Sequence, residues 1–158
     1  METKFNFKSQ ICTDRNQSER LLASGLKKET ADMHWEDEAY FDDYEDWNAY
    51  VGSPKHSEHI PAWSLHRLIE MMPFDVIPEG GFDNCFTLIK NYPKGYSVEY
   101  DGFSYYYKEN IYDTLIDAIE HLIKEGYFNK EYLVNQAEIE EHCKGVLEYL
   151  DYIRGEEE

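Results

Sequence analysis

The stretch from Tyr96 to Phe128 constrains the fold more than any other part of the chain. Tyr96, Val98 and Tyr100 alternate with Ser97, Glu99 and Asp101, the period-2 pattern of a strand with one apolar face. Asp101-Gly102 predicts a two-residue type I′ turn, because both central positions of that turn need positive φ. Phe103, Tyr105 and Tyr107 then resume the alternation on the returning strand. Upstream, Phe86, Leu88 and Tyr92 predict a third strand, joined to the hairpin by the turn residues Pro93-Lys94-Gly95. After the hairpin, Ile111, Leu115, Ala118, Ile119, Leu122 and Ile123 fall on one face of a helix running to Glu125. Asn110 is suited to cap its free N–H groups, Asp113 to face the positive end of its dipole, and Gly126 to end it in a left-handed conformation. The expected fold is α+β: a three-stranded antiparallel meander covered by this C-terminal-side helix, with additional peripheral helices.

The full length of 158 residues, 42% of them hydrophobic, suits a single domain spanning 1–158. A net charge of −18 disfavours phosphate backbones and anionic membrane surfaces, so direct nucleic-acid binding is not expected. The first twenty residues lack the apolar core of a secretory signal, and no stretch has the length of a membrane span, which together predict a cytoplasmic protein. Cys12, Cys85 and Cys143, odd in number and far apart, read as reduced thiols.

Along the chain, residues 4 to 12 suggest a short strand carrying Phe5, Phe7 and Ile11, and Thr13 or Asp14 can cap a helix running to about Ser24 and closed by Gly25. A second short helix is expected from about Lys28 to Trp35. The pair superficially resembles a helix-turn-helix, but Glu29 and Asp32 on the second helix argue against DNA. From Glu36 to Asp46 there are seven carboxylates and no basic side chain, set among aromatics. One reading is a solvated loop, with 36–58 flexible. The sharper reading is a partner-binding surface of Trp35, Tyr40, Asp42, Asp43, Tyr44, Glu45, Asp46 and Trp47 that anchors on a basic protein. A calcium loop is disfavoured because the required Gly and Glu are missing. Gly52-Ser53-Pro54 marks a break, and Ser64 caps a helix carrying Leu65, Leu68, Ile69 and Met72 that ends at Pro73. Pro78 to Gly81 reads as a turn, Glu131 to Ile153 as a last long helix, and 155–158 as a frayed tail. The apolar face of the last helix either completes the core or forms a homodimer.

Three segments carry a resemblance. They are Ile11-Cys12-Thr13 with Gln17-Ser18 and Gly25-Leu26 through Glu29-Thr30-Ala31-Asp32-Met33; Ile60 to Leu65 with Met72-Pro73; and Asp117-Ala118 with Gly126-Tyr127. Over about residues 11 to 128 the chain resembles a group of small proteins of gut Bacteroidetes and their phages or mobile elements. The resemblance implies a phage or mobile-element origin and brings no established activity.

The chemistry-bearing residues form no known signature. His56 and His59 are the one closely spaced histidine pair, with no Cys pair to complete four zinc ligands; His34 precedes the acidic run, and Glu141-His142-Cys143 lies on the last helix. His121 reads as part of a solvated helix face. There is no Gly-x-Ser-x-Gly elbow and no phosphate-binding glycine loop. Lys94 to Tyr100 resembles an RNA-recognition strand but lacks its second aromatic. No catalytic residue, cofactor or metal site is therefore assigned. The expectation is a non-enzymatic protein that binds an unknown protein partner, as an accessory of a phage or mobile element. The alternatives are an acidic DNA mimic and a small enzyme of unknown type.

Overall fold

A computed structural model describes residues 9–39, 44–76, 84–100 and 104–135. The expected Pro78–Gly81 turn, the Asp101-Gly102 turn, the last helix beyond residue 135 with its dimer face, and the tail 155–158 lie outside them. So do Phe5, Phe7 and Cys143. The element order is α1 (Arg15–Ala23), a 3-10 turn (Lys28–Thr30), β1 (Met33–Asp37), β2 (Trp47–Val51), β3 (Ile60–Ala62) and α2 (Leu65–Met71), followed by β4 (Asp75–Val76), β5 (Asn84–Lys90), β6 (Tyr96–Tyr100), β7 (Ser104–Lys108), α3 (Ile111–Glu125) and a second 3-10 turn (Lys130–Tyr132). The fold is α+β, with two antiparallel sheets ordered β4-β5-β6-β7 and β2-β1-β3.

The helix α3 forms where its apolar face and caps place it. The Asn110 side chain accepts from the backbone N–H groups of Tyr112 and Asp113, and Gly126 ends the helix at φ 82°. Leu115, Ile116, Ala118, Ile119 and Leu122 are fully buried against Val98 and Tyr100 of β6, and the same core takes in Leu21 of α1 and Leu68 and Met71 of α2. This cluster is the main core, and its apolar burial is the dominant stabilising term. In α1 the expected start is sharpened into a capping box: Asp14 accepts from the Gln17 N–H, and the Gln17 side chain accepts from the Asp14 N–H.

The hairpin differs from expectation by one residue. A two-residue turn at Asp101-Gly102 would pair Tyr100 with Phe103, but Tyr100 pairs with Ser104 and Val98 with Tyr106. One step of register exchanges the two faces of a strand. Tyr106 therefore packs on the core, while Tyr105 and Tyr107 stand 61% and 42% exposed. Tyr92 is also outside its expected strand, fully exposed beyond the end of β5. Tyr100 is fully buried with its hydroxyl donated to the Pro73 carbonyl, so β6 offers sheet packing and no base-stacking platform.

The larger departure is at residues 28–62. The expected second helix is only the Lys28–Thr30 turn, and Met33 to Asp37 are strand β1, paired to β2 and β3. Helix-turn-helix geometry is thereby excluded. Residues 33–36 could satisfy their backbone groups along a helix, but tertiary pairing on both edges satisfies them instead and buries Met33 against Cys12 and Ala62. The segment 36–58, read as flexible, holds the end of β1 and all of β2. Residues 9–12 form no strand, and Glu131 belongs to a 3-10 turn. Leu133 there bridges to Leu26, so a long helix does not begin at Glu131.

Polar contacts join the small sheet to the main core. Thr13 and Trp63 exchange backbone contacts, the Thr13 N–H donating to the Trp63 carbonyl and the Trp63 N–H to the Thr13 hydroxyl. The buried Trp63 indole donates to the Thr30 hydroxyl at 2.9 Å, and Asp32 accepts from the Ser64 N–H at 2.9 Å. Among the described residues no helix is long and apolar enough to cross a membrane.

Candidate metal centre

Strand β1 puts successive side chains on opposite faces. Met33 and Trp35 face the small core with Cys12, Ala62 and Ala49. His34 and Glu36 share the other face, where His59, from the loop between β2 and β3, meets them. Their nearest ligand atoms lie within 4.8 Å of one another, the one such group among the described residues. Glu36 Oε1 is 2.8 Å from His59 Nε2 and 3.5 Å from His34 Nε2. The His34 and His59 side chains are only 8% and 10% exposed, and Glu36, at 32%, keeps one side of the group open.

The orientation of His34 follows from the backbone. Gly52, just beyond β2, sits at φ +111°, a conformation that favours glycine, and its N–H donates to the Asp32 carbonyl at 2.7 Å. Its carbonyl accepts from His34 Nδ1 at 2.7 Å. A carbonyl can only accept, so Nδ1 carries a proton, and Nε2 is the ring nitrogen turned toward Glu36. With Nδ1 tied to the Gly52 carbonyl, Nε2 is the His34 atom available to share a cation with the Glu36 carboxylate. The imidazoles of His34 and His59 lie stacked, with centroids 4.7 Å apart, and Tyr50 flanks His34 on the other side. Among the described residues His59 Nδ1 is buried with no hydrogen-bond partner.

The spacing suits a small ion. Zinc–ligand bonds of about 2.0–2.1 Å in tetrahedral geometry place neighbouring ligand atoms about 3.4 Å apart. The separations at Glu36, 2.8 and 3.5 Å, bracket that value. All three ligand atoms lie within 4.8 Å of one another, so the two histidines would draw closer around an ion.

Sequence reading names His34 and His59 of this set as metal candidates but not Glu36, and it does not bring the two histidines together. His56 and His59 were paired by spacing, but His56 is exposed and meets His59 ring-edge to ring-face, outside the three-ligand group. The pairing of His34 with Glu36 is hidden by the helix expected over about residues 28 to 35, in which positions two apart diverge. In a strand His34-x-Glu36 shares a face. Glu141, His142 and Cys143 lie outside the described residues. His121, read as solvated, hydrogen-bonds the Tyr106 hydroxyl through Nδ1.

The proposed partner-binding residues are separated by the hairpin. Trp35 is half-buried and donates its indole N–H to the Thr13 carbonyl at 2.9 Å. Trp47 pairs across from Asp37 and lies under the Arg15 guanidinium, 5.0 Å from its ring centre. Glu45 also faces Arg15, at 3.5 Å, whereas Tyr44 is 62% exposed. The Asp46 carbonyl accepts from the Glu38 N–H at 2.9 Å. The Asp46 N–H and that of Ala39 reach the Asp37 carboxylate, which holds that acid below the usual carboxylate range. Tyr40, Asp42 and Asp43 lie outside the described residues. Behind the sheet, burial pushes the Cys12 thiol up to about 11, with Asp32 and Asp14 adding to the effect.

No protein-family model matches the chain, and neither does any curated protein or solved structure.

Proposed function

We propose that the protein binds a divalent transition-metal ion through His34, Glu36 and His59, with zinc as the expected ion. The observation that supports this most is the convergence of a buried and a half-buried imidazole on one carboxylate oxygen, with the His34 Nδ1 proton held by the Gly52 carbonyl. Imidazole is a borderline ligand that suits zinc and its neighbours better than calcium or magnesium, and a carboxylate serves either kind of ion. Two histidines and one glutamate leave a fourth position for water or a ligand, which distinguishes such a set from a closed structural site. A zinc ion there would supply Lewis acidity and a bound water of lowered pKa. The chain's own residues would fix the ion to β1 and to the loop after β2.

Equilibrium dialysis against Zn2+, with Co2+ as a visible-spectrum probe, tests the assignment. One ion per chain is expected, with Glu36→Gln and His59→Ala each weakening binding at least about tenfold. His66→Ala, on the exposed side of α2, should bind like the native chain. Equal binding by all four proteins would place the ion elsewhere.

A second reading is docking of a basic partner protein on the acidic end of the β1–β2 hairpin. Its support is Tyr44, exposed beside the acidic Glu45 and Asp46. Tyr44→Ser with Trp47→Ser should abolish capture of such a partner. Binding that disappears at high salt and goes to a DNA-handling protein would instead fit the DNA-mimic alternative.

A further inference from the structure

Beside the small sheet is a cavity of about 420 Å³, walled by α1, the Lys28–Thr30 turn, and the loop leading into β3. Its volume is in the range of small-molecule sites. Lys28, Lys55, His56 and Ser57 contribute to the wall, Glu19 is its one carboxylate, and His59 is shared between this wall and the metal set. Neither lysine forms an ion pair among the described residues, although acids outnumber bases 33 to 15 in the chain. Two lysines with no ion pair among the described residues therefore line one concavity of a strongly acidic protein. Ammonium groups without a carboxylate partner favour a ligand that brings its own negative charge.

We propose that this cavity binds the oxyanion end of a small ligand, a phosphate or a carboxylate, between Lys28 and Lys55 and close to the metal ion held by His59. The inference rests on the metal assignment above and adds the chemical class of the ligand. His59 carries the connection: it belongs to the cavity wall through its position in the loop and to the ion through Nε2. The His56 ring adds a hydrogen-bond donor that either oxyanion can use, and the Ser57 hydroxyl, which donates to Glu58 at 3.4 Å, can rotate to add a second. Glu19 opposes the two lysines and disfavours ligands bearing charge along their whole length, so a single charged end is the better fit.

The test uses the full chain loaded with Co2+, a paramagnetic ion whose effect on nuclear relaxation falls steeply with distance. Inorganic phosphate is followed by 31P relaxation and acetate by its methyl protons, each with native protein, Lys28→Glu/Lys55→Glu and Glu36→Gln. Co2+ binding is titrated separately by absorption for every sample, and circular dichroism checks that each variant is folded. The expected result is strong relaxation enhancement of at least one probe with native protein. It should fall about tenfold or more in the double lysine variant although Co2+ remains bound. Phosphate alone responding identifies a phosphate-type ligand, and acetate alone a carboxylate. Enhancement that is absent, or unchanged in the lysine variant, overturns the oxyanion proposal while Co2+ binding keeps the metal centre intact. Failure of the native chain to bind Co2+ removes both.

Discussion

Removing the metal should loosen the small sheet, and the size of the effect can be worked out. The three ligands tie Met33–Asp37 to the loop that follows β2, two segments otherwise held on this face by the His34–Gly52 contact and the His59–Glu36 contact. The native geometry brings them together, whereas an unfolded chain separates His34 from His59 by 25 positions. An ion that binds the folded form alone stabilises it by RT ln(1 + [L]/Kd), about 2.7 kcal/mol when free zinc is a hundred times Kd. For a domain of this size each kcal/mol moves Tm by about 2–4 °C, so zinc should raise Tm by about 5–11 °C over chelator-treated protein. Scanning fluorimetry in excess chelator and at rising free zinc, with circular dichroism as a second probe, reads the shift directly. Glu36→Gln should flatten the zinc dependence. Gly52→Ala should also reduce it: nothing lies within 4 Å of an added Cβ, so the change acts through the φ +111° backbone that aims the carbonyl at His34. Loss of such an orienting contact costs about 10–100-fold in metal affinity. A native shift below about 1 °C, or one that Glu36→Gln leaves unaltered, would refute the reasoning.

The remaining predictions concern the scaffold. Gly95→Ala places a Cβ 2.6 Å from the Tyr107 hydroxyl at a φ of +93°; the expected cost is about 1–2 kcal/mol of backbone strain plus about 1 kcal/mol for the Tyr107–Lys94 hydrogen bond lost as the ring swings away. Urea titration of Gly95→Ala with and without Tyr107→Ala should show a smaller cost in the second background, and equal costs would rule out the steric share. Tyr100→Phe leaves the Pro73 carbonyl without its donor and should cost about 1–3 kcal/mol by the same assay. The Cys12 thiol has an ordinary value of 9.0 that burial raises to about 11, so the folded form holds this proton more tightly. Its stabilising contribution is complete below about pH 9 and is lost as pH rises through about 11, by up to about 3 kcal/mol. Cys12→Ala should show a smaller stability loss between pH 8 and 11, and an unchanged loss would mean that other groups govern the alkaline limb.

Local sequence determined the parts of this protein whose partners are near in the chain. The Asn110 cap, the apolar face of α3 and Gly126 need only neighbours within a few residues, so spacing specifies that helix. The same holds for Asp14 and Gln17 at the start of α1 and for Ser64 at the start of α2. The hairpin of β6 and β7 was legible as a hairpin, but its register was not. Tyr105, Tyr106 and Tyr107 are consecutive tyrosines, so either face could supply the inward ring, and packing against α3 selects Tyr106. Tertiary structure alone decided the fate of Met33 to Asp37: a five-residue segment becomes a central strand because β2 pairs along one edge and β3 along Met33 to Trp35 of the other. That choice created the candidate site. Paired as a strand, His34 and Glu36 point the same way and His59 closes on them from across the sheet. The chemistry was present in the sequence as residue types, but their convergence depends on a pairing between distant segments that no local pattern encodes.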